Sequence, residues 1–155
     1  MDIKRDLAFL KRLVKGISAE FGPNCEVVLH DLTEDVEHTI VAIENGHISG
    51  RRVGDSASEI VLETIGAHGN SLDDKYNYHI RTKDGRILKA TSICVRDDEG
   101  KVTGILGINY DLTVLMVAKK FMDTLAISNH DNESRILNTI PVDVSELLNI
   151  LIEES

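Results

Sequence analysis

The sequence predicts an α+β fold: a five-stranded antiparallel sheet with a helical crossover, flanked by N- and C-terminal helices. Five β-type runs are bounded by turn residues, and helical stripes precede and follow them. Apolar residues make up 42% of the chain, aromatic residues only 4%, and Trp is absent. The core must therefore rest on Val, Ile and Leu, which favours β-structure in the middle of the chain.

The first helix is predicted over residues 3–21, where apolar side chains alternate at spacings of four and three residues. The members of this stripe are Ile3, Leu7, Leu10, Val14, Ile17 and Phe21. The repeat is typical of a seam between two helices, and packing of the helix on its own domain is an equal alternative. Gly22-Pro23-Asn24 ends the helix.

The strands and the remaining helices follow from apolar runs separated by turn and capping signals. The predicted strands are Cys25–Leu32, His38–Asn45, Tyr76–Thr82, Arg86–Asp97 and Lys101–Leu112. A capping box that begins at Ser56 starts the crossover helix, residues 56–67, between the second and third strands. Asp84-Gly85 and Glu99-Gly100 are hairpin turns, so the last three strands form a meander. Further helices are predicted over 113–125 and 142–155.

The charge and the cysteine content exclude several classes of protein. The formal net charge of -9 repels a phosphate backbone, so these residues do not form a DNA-binding surface. The N-terminal residues carry charges throughout, unlike a signal peptide, and no apolar run approaches the ~20 residues that cross a bilayer. With only two cysteines, we expect a reduced, cytoplasmic protein without a membrane partner.

Several segments, in this order, resemble the YheO-like PAS domain of bacterial helix-turn-helix transcriptional regulators. They read NCEVVLHDL, IENGHISGRRVG and RTKDGRILKATSICVRDDEGKVTGILGINYDLT. The resemblance covers roughly residues 10–115, and the group includes regulators of D-amino-acid catabolism of the DauR type. Together with the apolar stripe of the first helix, it divides the chain into an N-terminal helix and possible dimer seam (1–22), a PAS-like sensor (23–114) and C-terminal helices (115–155). Those helices would lead toward a helix-turn-helix domain that this chain lacks. In this interpretation DNA is bound only through that domain.

The stretch Ile43–Ser56, IENGHISGRRVGDS, is either a wide turn with solvated arginines or a loop that holds an anion. In the second interpretation Gly46 and Gly50 allow backbone N–H groups to face inward, and Arg51 holds a carboxylate through two hydrogen bonds. Asn45 and Gly46 form a strong turn signal, and His47 is placed to add a hydrogen bond. The resemblance favours the anion loop, because this stretch is one of its signatures.

Polar side chains within the strands are the other candidate ligand contacts. His30 and Asn109 lie in apolar runs, where each is either satisfied by the protein or available to a ligand. Parity along each strand does not decide whether these two side chains line one wall. Thr91 and Tyr78 complete the candidate set, with ordinary cross-strand packing as the alternative for Tyr78.

The leading functional prediction is a sensor that binds a small polar or anionic, amino-acid-like metabolite and repositions a DNA-binding domain as a homodimer. A ligand-free dimerisation module of the same regulator is the second hypothesis. A small enzyme using His30 or His47 as a base is the third, but no nucleophile has a convincing partner. We therefore predict no catalytic residues, and neither a metal site nor a cofactor site is indicated by the spacing of His, Cys and acidic residues.

Overall fold

The computed structural model describes residues 2–34, 37–57 and 71–127 and confirms the five-stranded antiparallel sheet. Its elements are α1 (Leu7–Phe21), β1 (Cys25–Asp31), β2 (Ile40–Glu44), β3 (Lys75–Arg81), β4 (Ile87–Arg96), β5 (Val102–Asp111) and α2 (Thr113–Ala126). The chain forms two compact units, Met1–Leu115 and Met116–Ser155, of which the first holds α1 and the sheet. The predicted crossover falls almost wholly on residues 58–70, and the predicted last helix covers 142–155; both lie outside the described residues.

The strands lie side by side in the order β2-β1-β5-β4-β3, and every pair is antiparallel. The meander of β3, β4 and β5 is as predicted, and Gly85 adopts a φ of 87° in its first turn. Each predicted strand is correct to within a residue or two at its ends. The first and last strands of the chain, β1 and β5, meet in the middle of the sheet, where both are largely buried.

The first helix starts four residues later than the apolar stripe predicted, at Leu7 rather than Ile3. The side chain of Asp2 accepts hydrogen bonds from the backbone N–H groups of Lys4 and Arg5, at 2.9 and 3.0 Å. This local pairing holds the chain in a turn, and the helical ladder begins only where the N–H of Leu10 reaches the carbonyl of Asp6. Ile3 is nonetheless fully buried, so the stripe runs ahead of the helix.

The main core lies between α1 and one face of the sheet. Leu10 and Val14 of the helix join Val27 and Leu29 of β1 in one apolar cluster, together with Leu106 of β5. The apolar stripe of the first helix thus packs largely on its own domain. Phe21, its last member, is instead 58% exposed.

Candidate functional site

The strand register resolves which polar side chains share a face. His30 of β1 pairs directly with Ile105 of β5, and Glu26 pairs with Asn109. Directly opposed residues of an antiparallel pair point to the same side of the sheet. His30, Glu26 and Asn109 therefore share one face, opposite the face that α1 covers. We call this side, with Tyr78 and Ser92 in the adjoining strands, the polar face.

A buried carboxylate lies at the centre of the polar face. Glu26 is 1% exposed, although it stands in an apolar strand. The amide of Asn109 donates to its Oε1 at 2.9 Å, and both the backbone N–H and the hydroxyl of Ser49 donate to its Oε2, at 3.1 and 2.5 Å. Three donors thus compensate the loss of hydration of one acid. The partner that Asn109 needs is supplied by the protein itself.

The loop after β2 closes differently from the predicted anion loop. The backbone N–H groups of Gly50 and Arg51 both donate to the carbonyl of Gly46, at 2.8 and 3.0 Å. These two N–H groups therefore donate within the turn and do not face inward. The inward N–H is that of Ser49, and the anion it meets is Glu26. The protein thus supplies one carboxylate to this loop, and the binding of an external anion by Arg51 stays a prediction.

Glycine is required at position 46 because the turn is tight there. A Cβ added at Gly46 would lie 2.2 Å from the carbonyl oxygen of Arg51, which is backbone and cannot rotate away. We expect Gly46→Ala to lower the free energy of unfolding by about 2 kcal/mol through this overlap. Urea titration of Gly46→Ala would measure the loss. Gly50→Ala provides a comparison in which only backbone strain is introduced. A Cβ at Gly50 would meet no atom within 4 Å, but the φ of 76° is unfavourable for alanine. An unchanged urea midpoint for Gly46→Ala would contradict the close approach.

Asn45 has a structural role in the same loop. Its side-chain Nδ2 lies 2.9 Å from the hydroxyl oxygen of Ser18, 3.0 Å from the carbonyl of Gly22 and 2.8 Å from the carbonyl of Cys25. These contacts join the end of β2 to the end of α1 and the start of β1. With a φ of 54°, Asn45 occupies the turn conformation that the sequence predicted for it.

The electrostatics of the polar face centre on His30 and Arg51. His30 is 3% exposed, and its Nδ1 shares a hydrogen bond of 2.9 Å with the hydroxyl of Thr39. Burial, and then the positive charge of Arg51, lower the pKa of His30 from 6.5 to about 4. The imidazole is therefore neutral at physiological pH. Arg51 belongs to the loop after β2, and this loop is bonded to the polar face through Ser49 and Glu26.

Arg51 stands apart from the other partly buried arginines within the described ranges. Arg86 pairs with Asp84 and Asp111 at 3.0 and 3.3 Å, and Arg96 lies 4.0 Å from Asp73. No ion pair or side-chain hydrogen bond of Arg51 occurs among the residues that the structure describes. A partly buried cation without an acid partner is a ready binding point for an anionic group, since Arg fits a carboxylate bidentately.

The remaining predicted contacts are dispersed. Tyr78 lies on the polar face, where its hydroxyl is 2.7 Å from that of Ser92. Thr91 pairs with Ile108 on the opposite face, and its hydroxyl accepts the backbone N–H of Asn77 at 3.2 Å. His47 is exposed in the turn. The structure thus places His30, Asn109 and Tyr78 on one face of the sheet and Thr91 on the other.

Sequence reasoning missed Glu26, Ser49, Thr39 and Ser92. Glu26 carried a readable signal, because it interrupts an apolar strand and has the same parity as His30. Ser49, Thr39 and Ser92 carried none, since isolated hydroxyl residues in loops and strands are common at exposed positions. Their partners are fixed only by the pairing of distant segments.

Three further observations concern the described residues. No cluster of three or more His, Cys, Asp or Glu side chains able to hold a metal ion occurs in the described ranges. Cys25 and Cys94 are both free thiols, and strand parity places them on opposite faces of the sheet. No helix within the described part of the chain is long and apolar enough to span a membrane.

The sequence model of the family described as YheO-like PAS domain matches residues 1–127. An uncharacterised protein of Haemophilus influenzae is 32% identical over 128 residues, which are 83% of this chain and 56% of that protein. The transcriptional regulator DauR of Pseudomonas aeruginosa is 33% identical over 115 residues, which are 73% of this chain and 50% of the regulator. The chain spans about half the length of these curated relatives.

Among solved structures, the PAS domain of the fruit-fly ELK potassium channel is similar in fold. Its TM-score is 0.42 and its sequence identity 14%, over 64% of this chain and 96% of that domain.

Proposed function

Because this chain belongs to the family of YheO-like PAS domains, we propose that it is the sensory domain of a transcriptional regulator. In this proposal the polar face binds a small polar or anionic, amino-acid-like metabolite. Occupancy is relayed to a helix-turn-helix domain outside this chain, a proposal supported by the similarity to the transcriptional regulator DauR. The net charge of -9 agrees with this division, because DNA contacts need a basic surface that these residues do not provide.

The observation that carries the proposal is the isolated guanidinium of Arg51. Its positive charge contributes to the lowered pKa of the buried, neutral ring of His30, and the loop that carries it is held to the same face by the hydrogen bond between Ser49 and Glu26. A carboxylate bound there would form charge-assisted hydrogen bonds in a region of low dielectric, where such bonds are strong.

The relay needs a ligand that prefers one arrangement of the flanking helices over another. The start of α2 is tied directly to the sheet: the N–H of Leu112 donates to the carbonyl of Ile87 at 2.9 Å, and the N–H of Ile87 lies 3.4 Å from the hydroxyl of Thr113. A displacement of Ile87 at the start of β4 would therefore reach Thr113, where α2 begins.

Isothermal calorimetry against a panel of D- and L-amino acids tests the proposed site. We expect Arg51→Ala to weaken binding of the best panel member at least tenfold, on the order of one charge-assisted pair. Arg51→Lys should bind with intermediate affinity, because a lysine keeps the charge but not the planar fork. The matched control is Arg52→Ala, whose side chain is 89% exposed and should leave the affinity within about twofold. If Arg51→Ala leaves the affinity unchanged, the binding site lies elsewhere. If no member of the panel binds, amino-acid ligands are ruled out.

A ligand-free dimerisation module is the second candidate function. The observation in its favour is that the polar side chains already satisfy one another: Asn109 with Glu26, His30 with Thr39, and Tyr78 with Ser92. No buried side-chain nitrogen or oxygen lacks a partner in the part of the chain that the structure describes. Native mass spectrometry distinguishes the two functions, since this candidate requires a dimer without any co-purified small molecule and without calorimetric heat from the panel.

A further inference from the structure

The pair formed by His30 and Thr39 determines which nitrogen of the buried ring carries its proton. Thr39 precedes β2 and is fully buried, and its hydroxyl oxygen lies 2.9 Å from Nδ1 of His30. Either atom can donate in such a pair, because a hydroxyl and a neutral imidazole can each act as donor or acceptor. The remaining contacts of the two groups decide the direction.

The hydroxyl of Thr39 has no other acceptor in the described part of the chain. If Nδ1 of His30 carried the proton and donated it, the hydroxyl proton would be enclosed without an acceptor. A buried donor without a partner is costly enough to favour the opposite direction by at least about fivefold. The hydroxyl of Thr39 therefore donates, and Nδ1 of His30 accepts.

The single proton of the neutral ring of His30 then lies on Nε2. Burial, and then the charge of Arg51, lower the pKa of the ring to about 4 and so keep it neutral. Nε2 has no hydrogen-bond partner among the described residues. Since every fully buried side-chain nitrogen and oxygen of those residues has a partner, Nε2 is not fully buried. The polar face thus holds an N–H donor that the protein does not use.

The carboxylate of the polar face is occupied, whereas two donors of the proposed site are not. Glu26 already accepts three hydrogen bonds, from the amide of Asn109 and from the backbone N–H and hydroxyl of Ser49. The Nε2–H of His30 and the guanidinium of Arg51 have no acceptor in the described ranges. A ligand that completes their hydrogen bonds must bring acceptor oxygens, as a carboxylate does.

We propose that Thr39 holds His30 as an Nε2–H donor, and that this N–H selects ligands that bring an acceptor oxygen to the polar face. His30 is then a ligand-binding residue that donates, and Thr39 is a positioning residue. The ligand part of this inference rests on the proposed function, because it needs a ligand at the polar face. The tautomer does not, because it is a property of the chain without ligand.

Two-bond proton–nitrogen NMR correlation spectra of the 155-residue chain at neutral pH test the tautomer directly. The chain contains six histidines, and the spectrum of His30→Gln identifies the signals of His30 by their loss. We expect Nε2 to carry the proton. The Nδ1 signal should shift in Thr39→Val, which removes the hydroxyl, and stay close to its position in Thr39→Ser. A protonated Nδ1, or an Nδ1 signal that does not move in Thr39→Val, would overturn the assignment. The spectrum of the unchanged chain decides the tautomer even if Thr39→Val does not fold.

The same spectra in the presence of the D- and L-amino acids of the calorimetric panel, and of ethylamine, test the selection of an acceptor. The amino acids carry a carboxylate, whereas ethylamine carries only an ammonium group. We expect the Nε2–H signal to shift with each panel member that binds and to stay in place with ethylamine. In calorimetry Thr39→Val should bind those members at least about fivefold more weakly, and Thr39→Ser should bind them within about twofold of the unchanged chain.

The outcomes distinguish this inference from the proposed function. Calorimetric binding without a shift at Nε2 would overturn the role of His30 and leave the proposed sensor intact. Equal shifts with ethylamine would overturn the selection of an acceptor oxygen. If no panel member binds, the ligand part of the inference fails together with the proposed function, and the tautomer is still decided by the spectra without ligand.

Discussion

Glu26→Ala is expected to lower the free energy of unfolding by about 3 kcal/mol, the largest loss we predict for a single side chain. Removal of the carboxylate leaves the amide of Asn109 and both donors of Ser49 without their acceptor. Glu26 is 1% exposed, so water does not readily replace it. A buried donor left unsatisfied costs more than the net contribution of the hydrogen bond that held it.

Chemical denaturation with a double-mutant cycle measures this effect. Glu26→Ala, Asn109→Ala and the double variant should show coupling of about 1 kcal/mol or more, since the two side chains form one hydrogen bond. The exposed Glu44 at the end of β2 provides the matched control, and Glu44→Ala should change stability by less than about 0.5 kcal/mol. Equal losses for Glu26→Ala and Glu44→Ala would show that the buried network contributes nothing to folding.

Stability should also fall as the pH drops from about 6.5 to about 4, because His30 is neutral in the folded protein. Its pKa is lowered by folding, so the unfolded chain binds the proton first. The contribution is fully present above the unfolded pKa of 6.5 and is lost as the pH falls toward the folded pKa. At 1.36 kcal/mol per pKa unit, this loss is about 3 kcal/mol across the window.

Comparison of two histidine variants isolates this contribution from the titration of carboxylates. His30→Asn keeps a polar group near Nδ1 but does not titrate, so its stability should depend less steeply on pH between 6.5 and 4. His79→Asn replaces an exposed histidine of β3 and should leave the pH dependence unchanged. An NMR titration adds a second readout: Arg51→Ala removes a nearby positive charge and should raise the pKa of His30. A slope for His30→Asn equal to that of the unchanged chain would contradict the buried neutral ring.

The elements were predictable from the sequence because their signals are local. Apolar runs ended by Gly-bearing turns gave all five strands to within a residue or two, as at Ile87–Arg96. The predicted start of α1 was wrong because residues 2–6 form a separate turn closed by Asp2, and the hydrophobic stripe runs through both the turn and the helix without marking the break. Ile3 belongs to the core without belonging to the helix.

The site was less predictable because it is made by pairings between distant strands. Parity along β1 places His30 on the same side as Glu26, and parity along β4 places Thr91 on the same side as every second residue of that strand. It does not say which side of β1 matches which side of β4. That information lies in the register, where Glu26 opposes Asn109 and Thr91 opposes Ile108. Arg51 was predictable as a cation beside a turn, whereas the use of its own backbone N–H within that turn was not.

The central position of β1 and β5 has a consequence for how the chain acquires its structure during synthesis. Glu26 and Asn109 are 83 positions apart, so the ladder that joins these strands is a contact of high sequence separation. During synthesis β1 leaves the ribosome long before β5 has been made. In that interval the apolar residues of β1 lack the strand with which they pair in the middle of the sheet. The surface on which α1 docks is complete only when β5 has paired, so the nascent N-terminal helix also waits. Folding of this unit is therefore expected to be completed only after β5 has left the ribosome, with β1 as the segment most exposed to aggregation in the interval.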